Sequence, residues 1–166
     1  MSADGDLLWR KMIEPRLDDY MGEVFETVCR DFVASGGVPR FQPVRTGRWW
    51  DATAENQIDI VAIDHGGRLL VAECKWGLVD ARDLETLRER AAVMAREMKS
   101  FTSFRYVLFS GRLPRDPSLR REIEAGHVSW YGLSELLGRE PAARAGDAPA
   151  ARPAGNAEPG PDGTPV

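Results

Sequence analysis

The chain has 166 residues, 43% of them hydrophobic and 29% charged, which fits one ordinary globular domain. A net charge of −4 argues against a nucleic-acid footprint spread over the whole surface, though not against a local basic stripe. No apolar run approaches the ~20 residues that span a bilayer, and the opening MSADGDLLWRK lacks a signal peptide's apolar core. A cytoplasmic protein without membrane association is therefore expected. Its two cysteines, Cys29 and Cys74, offer neither a disulfide framework nor the CxxC spacing of a zinc site.

Residues 1–14 read as a polar lead-in whose apolar patch is Leu7, Leu8 and Trp9. From Pro15 the pattern turns helical. Leu17, Tyr20, Met21, Val24, Phe25, Val28, Phe32 and Val33 recur at spacings of three and four, predicting a helix over 16–35. Pro15 suits its first turn, and Gly36 with Gly37 ends it. Two glutamates stand out in this helix. Glu26 adjoins Phe25 at the apolar stripe and Glu23 lies further off; the plain alternative for both is a solvent-facing helix carboxylate.

Residues 45–51 predict the first strand. Trp49 and Trp50 are neighbours, so one should enter the core while the other covers the opposite face. After a turn over 52–56, the stretch QIDIVAIDHGGRLLVAECKW (57–76) places two apolar, β-branched runs either side of Asp64, His65, Gly66 and Gly67, the pattern of a β-hairpin. With His65-Gly66-Gly67 as a three-residue loop, Asp64 pairs with Arg68 and Asp59 falls opposite Glu73. With a loop of Gly66 and Gly67 alone, Asp59 faces the other way. Glu73 and Lys75 share a face in either case.

Charges at strand ends are commonly solvated edges. Here, however, they sit in runs apolar on both faces, as in strands covered by helices. Ionised carboxylates are costly there, and a site that tolerates them usually holds a cation or a proton. The structural alternative is a satisfied cluster, such as an ion pair between Glu73 and Lys75.

Asp80 is a candidate N-cap for a helix over 81–99, with Asp83 in its first turn and Leu84, Leu87, Ala91, Met94 and Met98 on its apolar face. Residues 104–110 read as a central strand reached through a crossover. A loop over 111–117, a short basic helix over 118–124, a strand over 127–131 and a final helical turn over 133–137 complete the domain. Two basic clusters, Arg82/Arg88/Arg90/Arg96/Lys99 and Arg112/Arg115/Arg120/Arg121, read first as solvated faces and second as phosphate tracks. His65 and His127 lack nearby partners and receive no role. Beyond 138 the composition shifts to Ala, Pro and Gly, so 139–166 is expected to be a disordered tail and 15–138 the folded domain. The sequence contains no G-x-x-x-x-G-K-[ST] phosphate loop.

The order Asp59 … Glu73-Cys74-Lys75 resembles the PD-(D/E)XK nuclease superfamily. More narrowly, GRWWD (47–51), QIDIVAID and LLVAECKW resemble the domain of unknown function 234 that follows archaeal-type P-loop ATPases. Pro15, Arg16 and Leu17 through Phe25 and Glu26 resemble that domain's opening helix, and the likeness spans roughly residues 10–138. It implies an α/β, restriction-endonuclease-like fold, a central mixed β-sheet flanked by α-helices. It also implies a Mg²⁺-dependent nuclease, with Mn²⁺ as a substitute ion. In that pattern Asp59 and Glu73 hold the metal with the Cys74 backbone carbonyl, and Lys75 orients the attacking water and stabilises charge on phosphorus. Glu26 assists a metal-held water or completes a second metal site, and Arg48 or Gln57 positions the substrate.

Two departures stand out. The family often carries an acid where this chain has Gln57, and the ATPase is absent. The implied partners are therefore nucleic acid and a P-loop ATPase in trans, with a homodimer allowed. The competing expectation is a nuclease-like fold retained as a catalytically silent binding or regulatory module.

Overall fold

The apolar periodicities resolve into α1 (Glu14–Ala34), β1 (Pro43–Trp50), β2 (Gln57–Asp64), β3 (Arg68–Lys75), α2 (Ala81–Glu97), β4 (Ser103–Ser110), α3 (Pro117–Glu124), β5 (Ser129–Tyr131) and α4 (Leu133–Leu136). This computed structural model describes residues 14–98, 101 and 103–138. The expected lead-in, apart from Glu14, and the expected tail lie outside the described residues.

The strands form one sheet in the order β1-β2-β3-β4-β5. β1/β2 and β2/β3 are antiparallel, whereas β3/β4 and β4/β5 are parallel. The β3–α2–β4 segment is thus the crossover that a parallel pair requires. The architecture is α/β, a mixed sheet flanked by helices.

Central strand β3 is apolar on both faces because both are covered. Leu70 and Ala72 pack with Phe25, Cys29 and Val33 of α1. Leu69 and Val71 pack on the opposite face with Leu84, Leu87, Ala91 and Met94 of α2.

The hairpin register is that of the three-residue loop: Ile60 pairs with Ala72 and Ile63 with Leu69. Asp64 fixes it. Its Oδ1 accepts the backbone N–H groups of Gly66 and Arg68, each at 2.9 Å, and its Oδ2 accepts Arg68 Nε at 2.6 Å. Gly67 takes φ +73°, a conformation that costs little only without a Cβ. A slip of one residue would have turned every later side chain to the other face. This register instead carries Asp59 to the level of Glu73.

Asp80 caps α2 by accepting the N–H groups of Arg82 and Asp83, and the Asp83 carboxylate accepts the Asp80 N–H in return. Asp116 caps α3, with Pro117 as its first residue. Two details differ from the sequence reading. Trp49 packs against the α2-side core, but Trp50 is 62% exposed, because it ends an edge strand over which no second layer lies among the described residues. The second helix stops at Glu97, where Met98 turns extended as its C-cap, φ −92° and ψ 121°.

Candidate functional site

Asp59 lies where the sheet is irregular on both sides. Against β1, Trp49 pairs with Ile58 and Gly47 with Val61, so Arg48 stands opposite both Asp59 and Ile60. That is a β-bulge on β2, a device that re-aims the side chain it carries. Ile58 packs with the α2-side cluster, whereas Ile60 and Ala62 pack on the α1 side, so simple alternation is reset at Asp59. Against β3, the ladder ends at Ile60 and Ala72. Beyond it, Asp59 Oδ2 accepts the Cys74 backbone N–H at 2.9 Å. An extended residue directs its N–H and C=O to the same side of the strand, so the Cys74 carbonyl opens towards the same gap.

Glu73 is directed towards α2, where Arg90 Nη1 donates to its Oε2 at 3.2 Å. Burial pushes the Glu73 carboxyl up to about 7; the Asp59 charge adds to this, and Arg90 opposes it. Asp59 is also raised, first by burial and further by the Glu26 charge, against the stabilising Cys74 N–H. Two half-buried carboxyls are therefore each biased towards their neutral form, chiefly by burial.

Lys75 follows Glu73 on the same face of β3, but its Nζ contacts Asp83 Oδ1 at 2.7 Å rather than either of the two carboxylates. In place of the alternative Glu73–Lys75 pair, the structure has Glu73–Arg90 and Lys75–Asp83. Glu26 faces inwards from α1 with a side chain 16% exposed, and it is ion-paired with Arg30 at 2.8 Å and with Arg48. Two guanidinium groups thus engage the carboxylate for which a metal-held water or a second metal site was expected. Arg48 reaches the site as the partner of Glu26. Gln57 Nε2 lies 3.5 Å from Asp59 Oδ1, where it orients that carboxylate. Glu23 is exposed, the plain solvent-facing residue of the helix.

Asp83 and Arg90 are site residues that periodicity understated. One was read as a first-turn acid and the other as part of a basic cluster. Both stand one turn from buried Leu87, at spacings of four and three, which places them on the helix face turned to the sheet. That spacing was the available signal. The Cys74 thiol points the other way, next to Cys29, and burial pushes its pKa up. Among the described residues, no three His, Cys, Asp or Glu side chains group together to hold a metal. A cavity of about 430 Å³ between α2 and α3, lined by Leu84, Arg88, Arg121 and Glu122 among others, shares no residue with this cluster.

Residues 2–87 match DUF234, described as Archaea bacterial proteins of unknown function. The chain belongs to the DUF234 family. The part matching DUF234 runs through α1, the β1–β2–β3 antiparallel unit and the start of α2, so it includes Glu26, Arg48, Asp59, Glu73, Lys75 and Asp83 but not Arg90. No curated protein matches this DUF234 chain. Among solved structures, the crystal structure of a repair endonuclease from Pyrococcus abyssi is similar to it at 16% identity and a TM-score of 0.46. The likeness covers 65% of this chain and 45% of that one, so the DUF234 chain spans less than half the endonuclease's length.

Proposed function

We propose that this chain is a metal-dependent nuclease that hydrolyses phosphodiester bonds of DNA or RNA. The reading rests on one observation. Asp59 and Glu73 meet where the β2–β3 ladder ends, and both carboxyls are raised above their ordinary values. Such a pair is short of positive charge. Its donors, two carboxylates and the outward-facing Cys74 carbonyl, are the hard oxygens that suit Mg²⁺ or Mn²⁺. When bound, such an ion supplies Lewis acidity, easing proton loss from water and drawing charge from a phosphate.

The chain's own residues do the rest. Cys74 N–H and Gln57 hold the Asp59 carboxylate in place. Lys75, 48% exposed and tethered by Asp83, brings its ammonium to the same face as Glu73 and stabilises charge developing on the phosphate oxygens. Glu26 positions Arg48, whose side chain is 40% exposed, to contact a neighbouring phosphate. Nucleic acid is the partner, with a P-loop ATPase supplied by another chain, in the cytoplasm, as a monomer or homodimer.

A second reading has an observation of its own. Lys75 is already engaged by Asp83, and Glu26 by two arginines. A nuclease-like fold kept as a silent binding module would show such compensated charges. The deciding experiment incubates labelled single-stranded, duplex and branched DNA and RNA with the protein and Mg²⁺ or Mn²⁺. Cleavage by the wild type and none by Lys75→Ala supports hydrolysis. A folded wild type that cuts none of them leaves the binding-module reading.

A further inference from the structure

The β4–α3 connection is fastened at both ends to the elements that carry the site. At one end, Gly111 N–H donates to the Lys75 carbonyl at 3.1 Å. Gly111 lies so close to Trp76 that a Cβ there would meet the Trp76 carbonyl oxygen at 2.2 Å. Next to it, fully buried Ser110 donates its hydroxyl to the Arg112 carbonyl and accepts Trp130 Nε1–H, both at 2.7 Å. At the other end, Asp116 Oδ2 accepts the N–H of Ala81, the first residue of α2, at 2.9 Å. Pro114 packs inwards, while Arg112, Leu113 and Arg115 stand out into solvent.

This rigid base presents an unusual tip. Leu113 is 69% exposed, and Leu78 on the adjoining β3–α2 connection is 41% exposed. Arg82 is exposed in the first turn of α2. None of Arg82, Arg112 and Arg115 has an ion-pair partner among the described residues. Beside the Lys75 end of β3, these three guanidinium groups lie among Asp80, Asp83 and Asp116, whose carboxylates are taken up by helix-cap N–H groups and, for Asp83, by Lys75, so the arginines are the charges left open to a ligand.

We propose that the 111–115 loop, with Arg82, is the nucleic-acid contact edge of the site, and that it takes strands with unstacked bases in preference to an uninterrupted duplex. This rests on the nuclease reading above. Arg112 and Arg115 hold the phosphate backbone, for which planar guanidinium groups are suited. Leu113 packs against a base already out of its stack, as exposed apolar side chains do at unstacked steps. An uninterrupted duplex presents no such base face, so Leu113 contributes least there. The phosphate complement of the arginines favours nucleic acid over an apolar protein segment as the occupant.

The test is fluorescence anisotropy with labelled single-stranded, duplex and forked DNA of equal length, with Ca²⁺ in place of Mg²⁺. The doubly substituted Arg112→Ala/Arg115→Ala protein should bind all three about tenfold more weakly, with the salt dependence reduced by about two phosphate contacts. Leu113→Ala should weaken forked and single-stranded binding about fivefold and leave duplex binding nearly unchanged. Melting curves check that each variant is folded. A folded double variant that binds like the wild type overturns the inference, as does a wild type that binds no nucleic acid. If the loop variants lose DNA while the wild type cuts nothing, the hydrolytic reading fails and this one stands. If cleavage is present and the loop variants bind and cut as the wild type does, the reverse holds.

Discussion

Asp59 takes the backbone N–H of Cys74 at 2.9 Å, a bond from a side chain on one strand to the main chain of the next, just past the end of their ladder. One carboxylate oxygen thereby replaces the strand carbonyl that a continuing ladder would have supplied. The bond pins a charged group beside Glu73, in a place where desolvation and neighbouring carboxylates, Glu26 for Asp59 and Asp59 for Glu73, work against ionisation. Local irregularity and raised carboxyls are thus two aspects of the same geometry. The chain gives up regular pairing at one point and gains a fixed pair of oxygen donors.

Glu73 makes stability depend on pH. Its carboxyl titrates at about 7 in the folded chain, against an ordinary glutamate value of 4.5. The folded state binds the extra proton in between, so stability falls as pH rises from about 4.5 to about 7 and is flat on either side. The full difference corresponds to roughly 3 kcal/mol. Glu73→Gln should abolish most of that fall and be the more stable protein at pH 8, as read by urea denaturation across the range. A wild type whose Glu73-dependent stability rises with pH would contradict this.

Arg90 is the counter-ion that keeps Glu73 tolerable when ionised. Arg90→Met should leave the carboxylate without it and cost about 1–3 kcal/mol at pH 8. At pH 5 Glu73 is protonated and the same substitution should cost much less. Chemical denaturation at the two pH values checks the difference, and an equal loss at both would mean that the pair contributes nothing electrostatic.

Asp59→Ala and Asp59→Asn separate the two duties of that side chain. Both remove the charge, but only the asparagine retains an oxygen to accept the Cys74 N–H. The alanine variant should be less stable than the asparagine variant by about 1–2 kcal/mol, the cost of a half-buried donor left unpaired. Equal stabilities would show that water satisfies the N–H instead.

The layers and the hairpin were legible in the sequence because their causes are local. Strands covered on both faces must be continuously apolar, and Gly66 with Gly67 marks the turn; of the two loop lengths open in the sequence, the Asp64 hydrogen bonds select the longer. Asp80 and Asp83 announced the second helix for the same reason. The site was only half legible. Glu73 and Lys75 could be placed on one face by strand alternation, and Asp59 beside Glu73 in one of two registers, the one the structure adopts. Their partners could not, because Arg90 and Asp83 come from a helix whose rotation against the sheet is set by core packing around Leu87. The bulge at Asp59 was equally hidden, since it is a mismatch between two strands and neither strand shows it alone. Trp50 was misplaced for a related reason: adjacency says that two tryptophans face opposite ways, not that both ways are covered.

The central claim is that Asp59 and Glu73 hold a divalent cation. Titrating Mn²⁺ or Mg²⁺ into the wild type and into Asp59→Asn at pH 8, followed by calorimetry and by melting temperature, tests it most directly. The account predicts binding by the wild type, with a melting temperature that climbs with the logarithm of ion concentration above the dissociation constant. Asp59→Asn should remain folded and show neither effect. Wild-type protein that takes up no ion, or an asparagine variant that binds it equally well, would contradict the claim.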